Sequence, residues 1–228
     1  MKVVLVPMRV EDGNFNANWE EFQRRFNEAL SHEPDFVVFP EYSLTGFVEW
    51  DFSGGAELYG GIVERVSELA RKAGGVYVVF GLLEPYKRCV YNSALLVGRN
   101  GEVLLKHRKF QEPMGFCTGN TVKTARTEFG RVAIIICGDL YNKRVLKWIK
   151  RKRPDYVFVP MEYSPDHGEP NGEDVEVMAG RVGLLSAGTF VVNSYPPGGG
   201  AWVFDGGDGR LLAETSGGEE LLVWEDRG

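Results

Sequence analysis

Apolar positions along the chain fall into short unbroken runs that alternate with stretches of helical period. The first run spans residues 2–6 and is closed by Pro7. Trp19, Phe22, Phe26, Ala29 and Leu30 then recur at the spacing of one helix face, with Asn18 in cap position and Glu21 three residues later. Residues 35–39 read as a fully buried strand that ends at Pro40-Glu41. A second helix is predicted over 60–73, where Ile62, Val63, Val66, Leu69, Ala70 and Ala73 share a face and Gly74 supplies the stop. Residues 76–83 are again strand-like, interrupted by Gly81.

Further on, the strands crowd together. Residues 91–97 and 102–106 flank Arg99-Asn100-Gly101, the mark of a hairpin. A loop with Pro113, Gly115 and Gly119 leads into a very apolar strand, 131–136, that ends at Cys137. A short helix over 143–150, with Val145, Leu146 and Ile149 inward, precedes a strand at 156–159. Residues 162–174 are polar and read as a long surface loop. A helix near 175–187, a strand at 190–193 and two or three terminal strands complete the pattern. Strands and helices in alternation, with hairpins inserted, predict an α/β fold with mixed sheets. No internal repeat is visible.

Composition narrows the function classes. A chain of 228 residues with 43% hydrophobic content suffices for one core, and no linker divides it, so a single domain over 1–228 is expected. A net charge of −6 argues against a nucleic-acid partner. No run approaches the ~18 apolar residues of a membrane span, and the N-terminal run is too short for a signal peptide. Cys89, Cys117 and Cys137 are scattered and do not make a disulfide framework. His32, His107 and His167 show no ligand spacing, so no metal is expected. These features together predict a reduced, soluble, cytoplasmic protein.

Three polar groups stand where a strand gives out: Glu41, Lys109 and Cys137. Strand ends in α/β proteins are where rigid backbone presents side chains for chemistry. A thiol attacks as thiolate and needs a cation, a helix N-terminus or a base beside it. Cys137 lies between a strand and a short helix, and Gly138 allows a tight turn with an unobstructed N–H for an oxyanion. Glu41 suits a general base if burial raises its pKa. Taken singly, each has a plainer reading. A free cysteine is usually a small core residue, a strand-end glutamate usually meets solvent, and the basic run Lys106-His107-Arg108-Lys109 is ordinarily a solvated face.

Taken in order, these segments resemble the nitrilase superfamily of carbon–nitrogen hydrolases. The family's Phe-Pro-Glu motif with a following Thr-Gly is matched by Phe39-Pro40-Glu41 and Thr45-Gly46. Its Arg-Lys motif, after a hairpin with an Asn-x-Ala strand, is matched by Asn92-Ser93-Ala94, Asn100-Gly101 and Arg108-Lys109. Its Ile-Cys-x-Asp motif is matched by Ile136-Cys137-Gly138-Asp139. A further glutamate before a Phe-x-x-Gly element corresponds to Glu112, ahead of Phe116 and Gly119. Arg181, Asn193 and the hairpin-like stretch 200–210 also fit. The chain departs from the pattern at Leu140-Tyr141-Asn142-Lys143, at Ser186-Ala187 and in the segment from Met161 to Ser164.

The resemblance implies a four-layer α-β-β-α sandwich with mixed sheets and a homodimer or higher homo-oligomer. It implies a Glu41–Lys109–Cys137 triad, Glu112 as a substrate-positioning residue and the Gly138 N–H at the oxyanion. Tyr42, Glu162 and Tyr163 fall where pocket walls are expected. The implied reaction is hydrolysis of a small linear amide, carbamoyl compound or ω-amide through a cysteine thioester, without a cofactor. A nitrile hydrolase with the same triad, or a non-catalytic binding member of the fold, is the alternative. A redox thiol protein would explain neither Glu41 nor Lys109.

Overall fold

The computed structural model describes residues 1–48, 55–112, 115–162, 172–196, 198–215 and 217–226. The first half runs β1 (Lys2–Leu5), α1 (Phe15–Leu30), β2 (Phe36–Val38), α2 (Gly55–Lys72), β3 (Tyr77–Tyr86), β4 (Cys89–Val97) and β5 (Val103–Arg108). The second runs β6 (Ala125–Thr127), β7 (Gly130–Ile134), α3 (Lys143–Lys152), β8 (Tyr156–Met161), α4 (Gly172–Val182), β9 (Gly188–Asn193), β10 (Ala201–Phe204) and β11 (Leu211–Glu214). A last strand, β12 (Leu222–Glu225), returns to the first half.

Two six-stranded mixed sheets result, ordered β12-β1-β2-β3-β4-β5 and β11-β10-β9-β8-β7-β6. In the first sheet β1, β2 and β3 are parallel, and β12, β4 and β5 join antiparallel. In the second, β7, β8 and β9 are parallel, and β6, β10 and β11 join antiparallel. The pairing pattern is therefore the same in both sheets, strand for strand, with β2 standing where β8 stands. This structural repeat leaves no legible trace in the sequence, because backbone pairing survives when side chains diverge.

Strand periodicity explains the layers. Val3 and Leu5 of β1, Phe36 and Val38 of β2, and Val79 of β3 meet Val132 and Ile134 of β7, Phe158 of β8 and Phe190 of β9 between the sheets. The alternate residues face outward. Val4, Val37, Val78 and Phe80 pack on Phe22 and Phe26 of α1 and on Ile62 and Val66 of α2. Ala133, Val157, Val159 and Val191 pack on Val145 and Ile149 of α3 and on Met178 and Val182 of α4. Both faces of each central strand are thus buried, which is why those strands read as unbroken apolar runs. The order is helices, sheet, sheet, helices: the expected four-layer α-β-β-α sandwich.

Several local expectations need correction. Helix α1 is capped by Asn14, whose Oδ1 accepts from the Ala17 N–H at 3.2 Å. Asn18 lies one turn inside, buried, with its amide paired to both backbone groups of Glu11 at 2.7 and 2.8 Å. The strands read as 76–83 and 91–97 extend into one long hairpin closed at Lys87-Arg88, so that Tyr86 faces Cys89. Cys89 and Cys117 form a disulfide with their Cα atoms 5.6 Å apart, which overturns the expectation of three reduced thiols. The pairing was invisible because the two residues lie 28 positions apart. Among the described residues no helix is long and apolar enough to cross a membrane.

Candidate active site

The turn at Asn100-Gly101 fixes the register of β4 on β5, with Ser93 opposite Arg108. The Lys109 N–H donates to the Asn92 carbonyl at 2.9 Å, so these two residues lie side by side at the sheet's end. Strand alternation then divides the basic run. Lys106 and Arg108 turn outward onto the buried Glu84, to which Arg108 donates at 2.7 and 2.8 Å and Lys106 also binds. His107 and Lys109 turn inward, and both are largely buried. The run is therefore not a solvated face.

Glu41 follows β2 and is 1% exposed. Its Oε1 accepts from Lys109 Nζ at 2.8 Å and from Asn92 Nδ2. Its Oε2 accepts from the Glu162 N–H at 3.0 Å, while its own N–H donates to the Met161 carbonyl at 3.3 Å. The end of β2 is thus stitched to the end of its counterpart, β8. Gly81 of β3 lies directly beneath: a Cβ there would fall 2.7 Å from Tyr42 N and 2.8 Å from Glu41 Cα.

Glu112 joins the group with its Oε1 3.3 Å from Lys109 Nζ. Glu112 and the Tyr42 hydroxyl, the latter at 2.7 Å, also lie within hydrogen-bond reach of Asn92 Nδ2, whose two N–H groups are shared among three acceptors. That hydroxyl donates in turn to Glu112 at 3.4 Å. One carboxamide therefore faces three oxygens, and among the described residues its own Oδ1 has no hydrogen-bond partner. Asn92, which enters the sequence reading only as part of the Asn-x-Ala strand and with no role, is thus a site residue. Its signal was a polar residue in an otherwise apolar strand that pairs with the strand leading to Lys109.

Cys137 opens a 3-10 turn, Cys137–Tyr141, with φ +42°. A non-glycine residue held there stores strain of about 1–3 kcal/mol and needs surroundings that over-determine it. Asp139, fully buried, supplies them. Its carboxylate accepts from the Ile136 N–H at 3.2 Å and the Phe110 N–H at 3.0 Å, and meets His107 Nε2 at 2.7 Å. The segment after β7 is so locked to the segment after β5. The tight-turn residue is Cys137 itself and not Gly138, whose φ is ordinary. Among the described residues a Cβ on Gly138 would meet only Lys109 Cε at 3.7 Å, which also shows how closely the lysine passes the cysteine loop. As the second residue of the turn, Gly138 has an N–H with no acceptor inside it.

The electrostatics follow from burial around one cation. Burial pushes the Cys137 thiol up, Glu41 adds to this, and Lys109 opposes it. The residue keeps some surface, yet its sulfur is enclosed and reaches the Glu162 carbonyl at 3.6 Å. Burial alone would lower Lys109; Glu41, Cys137 and Glu112 outweigh it and hold the ammonium charged. Glu112 is raised by burial despite Lys109. Glu162 is pushed up to about 8, by burial first and then by Glu41 and Asp12. Tyr42 is also raised, chiefly by burial.

The structure therefore gathers Glu41, Lys109, Glu112, Tyr42, Cys137, Gly138 and Glu162. The backbone of Glu162 is built into the site; of the surface loop expected after it, residues 163–171 lie outside the described residues and 172–174 belong to α4. Tyr163 lies outside the described residues. Among the described residues no group of His, Cys, Asp and Glu is disposed to hold a metal ion. A cation, two buried carboxylates and a thiol in one place can carry proton transfer and nucleophilic attack on a carbonyl-type carbon.

Comparison with known proteins bears on the family and the fold. An omega-amidase of Saccharomyces cerevisiae is 24% identical over 256 residues, covering 99% of this chain and 86% of its own. A bifunctional nitrilase/nitrile hydratase of Lupinus angustifolius is 25% identical, covering 87% of this chain but only 64% of its own length. Among solved structures, an amidase from Nesterenkonia sp. superposes with a TM-score of 0.87 at 19% identity, over 98% of this chain and 89% of that one. That structure carries the acetamide moiety of fluoroacetamide covalently added at its active-site cysteine. The model of the carbon-nitrogen hydrolase family matches residues 2–224, and the chain belongs to that family.

Proposed function

We propose that the protein is a thiol hydrolase of non-peptide carbon–nitrogen bonds, cleaving a small linear amide, carbamoyl compound or ω-amide through a thioester on Cys137. The observation that carries this reading is the buried Glu41–Lys109 pair at 2.8 Å, set beside the strained cysteine. Because burial keeps the resting sulfur protonated, a base must take its proton as it attacks, and Glu41 is the carboxylate in reach. The thiolate adds to the carbonyl carbon, and the oxyanion falls between the Lys109 ammonium and the Gly138 N–H. Glu41 returns the proton to the departing nitrogen, the C–N bond breaks, and ammonia or an amine leaves. Water, deprotonated by Glu41, then attacks the thioester; the acid product departs and the proton goes back to sulfur. Glu112 orients the amide and fixes Lys109. Tyr42 and Glu162 wall the pocket.

Two observations favour amides: an omega-amidase among the relatives and amidases among the structural neighbours. Nitrilases among the relatives support nitriles as the second reading. The test is ammonia release over a panel of short aliphatic amides, carbamoyl amines and nitriles, with intact-mass detection of an adduct from fluoroacetamide. We expect a one-to-one adduct that Cys137→Ala abolishes. Loss of one oxyanion donor costs ~10²–10³ in rate, so Lys109→Ala should all but silence turnover. Amide turnover that persists in Cys137→Ala refutes the mechanism. The reading also takes residues 1–228 as one catalytic domain and expects a homodimer; light scattering at a mass of 25.5 kDa, not twice that, would refute the dimer.

A further inference from the structure

The Cys89–Cys117 disulfide stands at the edge of the site, and the mechanism makes no use of it. Cys89 opens β4, three residues ahead of Asn92. Cys117 lies five residues beyond Glu112, on a segment that returns to β4 and β5 at two points. The Cys117 N–H donates to the Val90 carbonyl at 2.8 Å, and the Gly119 N–H donates to the Lys109 carbonyl at 2.7 Å. The second contact brings Gly119 back onto Lys109, with Glu112 between them in sequence; residues 113 and 114 lie outside the described residues. At Gly119 a Cβ would lie 2.0 Å from the Arg108 carbonyl oxygen, so only glycine allows that approach. Phe116 packs beside Tyr42, Leu83 and Val90, and its ring lies 5.3 Å from that of Phe47. Among the described residues, and apart from the covalent bond, the returning limb is held by a few hydrogen bonds and this small apolar cluster.

From this geometry we infer that the Cys89–Cys117 bridge is a positioning element of the active site. It holds the loop bearing Glu112 against the strand bearing Asn92, and so keeps Glu112 beside Lys109. The inference rests on the proposed amide hydrolysis for its kinetic readout. Reduction by a dithiol breaks the S–S bond. Two electrons and two protons pass to Cys89 and Cys117, and the reductant becomes its cyclic disulfide. Cys137 already carries a thiol and is unchanged.

The experiment compares protein purified without reductant with the same protein after dithiothreitol, at a temperature well below unfolding. Titration of denatured samples should find one free thiol before reduction and three after. Misplacement of a catalytic contact by about 1 Å can cost ~10²-fold, and a loosened loop samples the correct position part of the time. We therefore expect kcat for butyramide to fall about tenfold with KM little changed, and to recover on reoxidation. Cys89→Ser should show the same loss without reductant and ignore dithiothreitol. In a Glu112→Gln background reduction should have no further effect on kcat, because the residue being positioned has already lost its charge. Amide-exchange protection of residues 115–119 should fall on reduction, whether or not butyramide is a substrate. If the oxidised enzyme turns over no amide, the functional reading fails and the exchange measurement alone decides the clamp. Three free thiols before reduction, unchanged exchange, or an equal kcat loss in Glu112→Gln would overturn the inference.

Discussion

Asn92 offers the sharpest test of how the site is held together. Its Nδ2 faces Glu41, Glu112 and the Tyr42 hydroxyl, and the residue is 1% exposed. Asn92→Asp keeps the shape of the side chain, so no cavity confuses the result, but it turns a donor into an acceptor. Two hydrogen bonds to carboxylates are lost, each worth about 1.5–3 kcal/mol, and the new carboxylate is thrust among others with Lys109 as their shared cation. The new group escapes part of this by taking up a proton, which restores one donor and about half of the loss. We therefore expect destabilisation of about 2–4 kcal/mol at pH 8 and clearly less at pH 5, where proton uptake is cheaper. For a chain of this size that is a fall of about 5–15 °C in Tm. Thermal unfolding at both pH values, with kcat measured alongside, checks it; kcat should drop at least ~10²-fold, because Glu41 loses its orienting partner. Equal stability of variant and parent at pH 8 would show that the carboxamide does not organise these oxygens.

Three further outcomes follow from other contacts. Gly81→Ala places a Cβ 2.7 Å from the Tyr42 nitrogen, so it should cost about 1–3 kcal/mol in urea unfolding and lower kcat by displacing Glu41; unchanged kinetics would refute that coupling. Asp139→Asn leaves one oxygen to accept where two now serve the Ile136 and Phe110 N–H groups and His107; kcat should fall with KM nearly unchanged, and a KM effect alone would contradict its role in holding the cysteine turn. Glu162 is raised in the folded state to about 8 from an ordinary 4.5, so folding binds a proton between those values and stability falls as pH rises through that window. Glu162→Gln removes the penalty: its Tm should exceed that of the parent at pH 9 and match it at pH 4, whereas parallel pH profiles would refute the burial of this carboxyl.

The sequence was most readable where physics is local. Strands buried on both faces appear as unbroken apolar runs, and β1, β2, β7 and β8 could be placed from that alone. The hairpin turn at Asn100-Gly101 announced itself through residues that suit its backbone. Cap choice was less legible, since Asn14 and Asn18 are one helical turn apart and only the path of residues 11–13 decides between them. Glu162 is legible only through the family resemblance, which puts it at a pocket wall, and not from its local pattern. A glutamate starting a polar stretch looks solvated, and only the approach of Glu41 from 121 residues away shows that its N–H is taken. The inward turn of Lys109 was hidden likewise, because a run of four basic residues does not reveal that a buried Glu84 neutralises the outward pair.

The shared pairing pattern of the two sheets explains why the site lies where it does. Glu41 and Glu162 end strands β2 and β8, which occupy the same place in their sheets, and each backbone or side chain reaches across to the other. The seam between the sheets closes there on polar groups, although elsewhere it is filled by Val, Ile and Phe. Cys137 enters from the neighbouring β7 and Lys109 from the β4–β5 hairpin, which gives each half of the fold a share of the constellation. A buried ion pair is seldom worth its desolvation when replaced by well-packed apolar residues. Its presence at this seam, with Asn92 and the Glu162 N–H satisfying the carboxylates, is therefore best explained by what the pair does to a thiol beside it. On that account Glu41→Leu with Lys109→Leu should fold at least as stably as the parent and be inert, and a marked loss of stability would assign the pair a structural role instead.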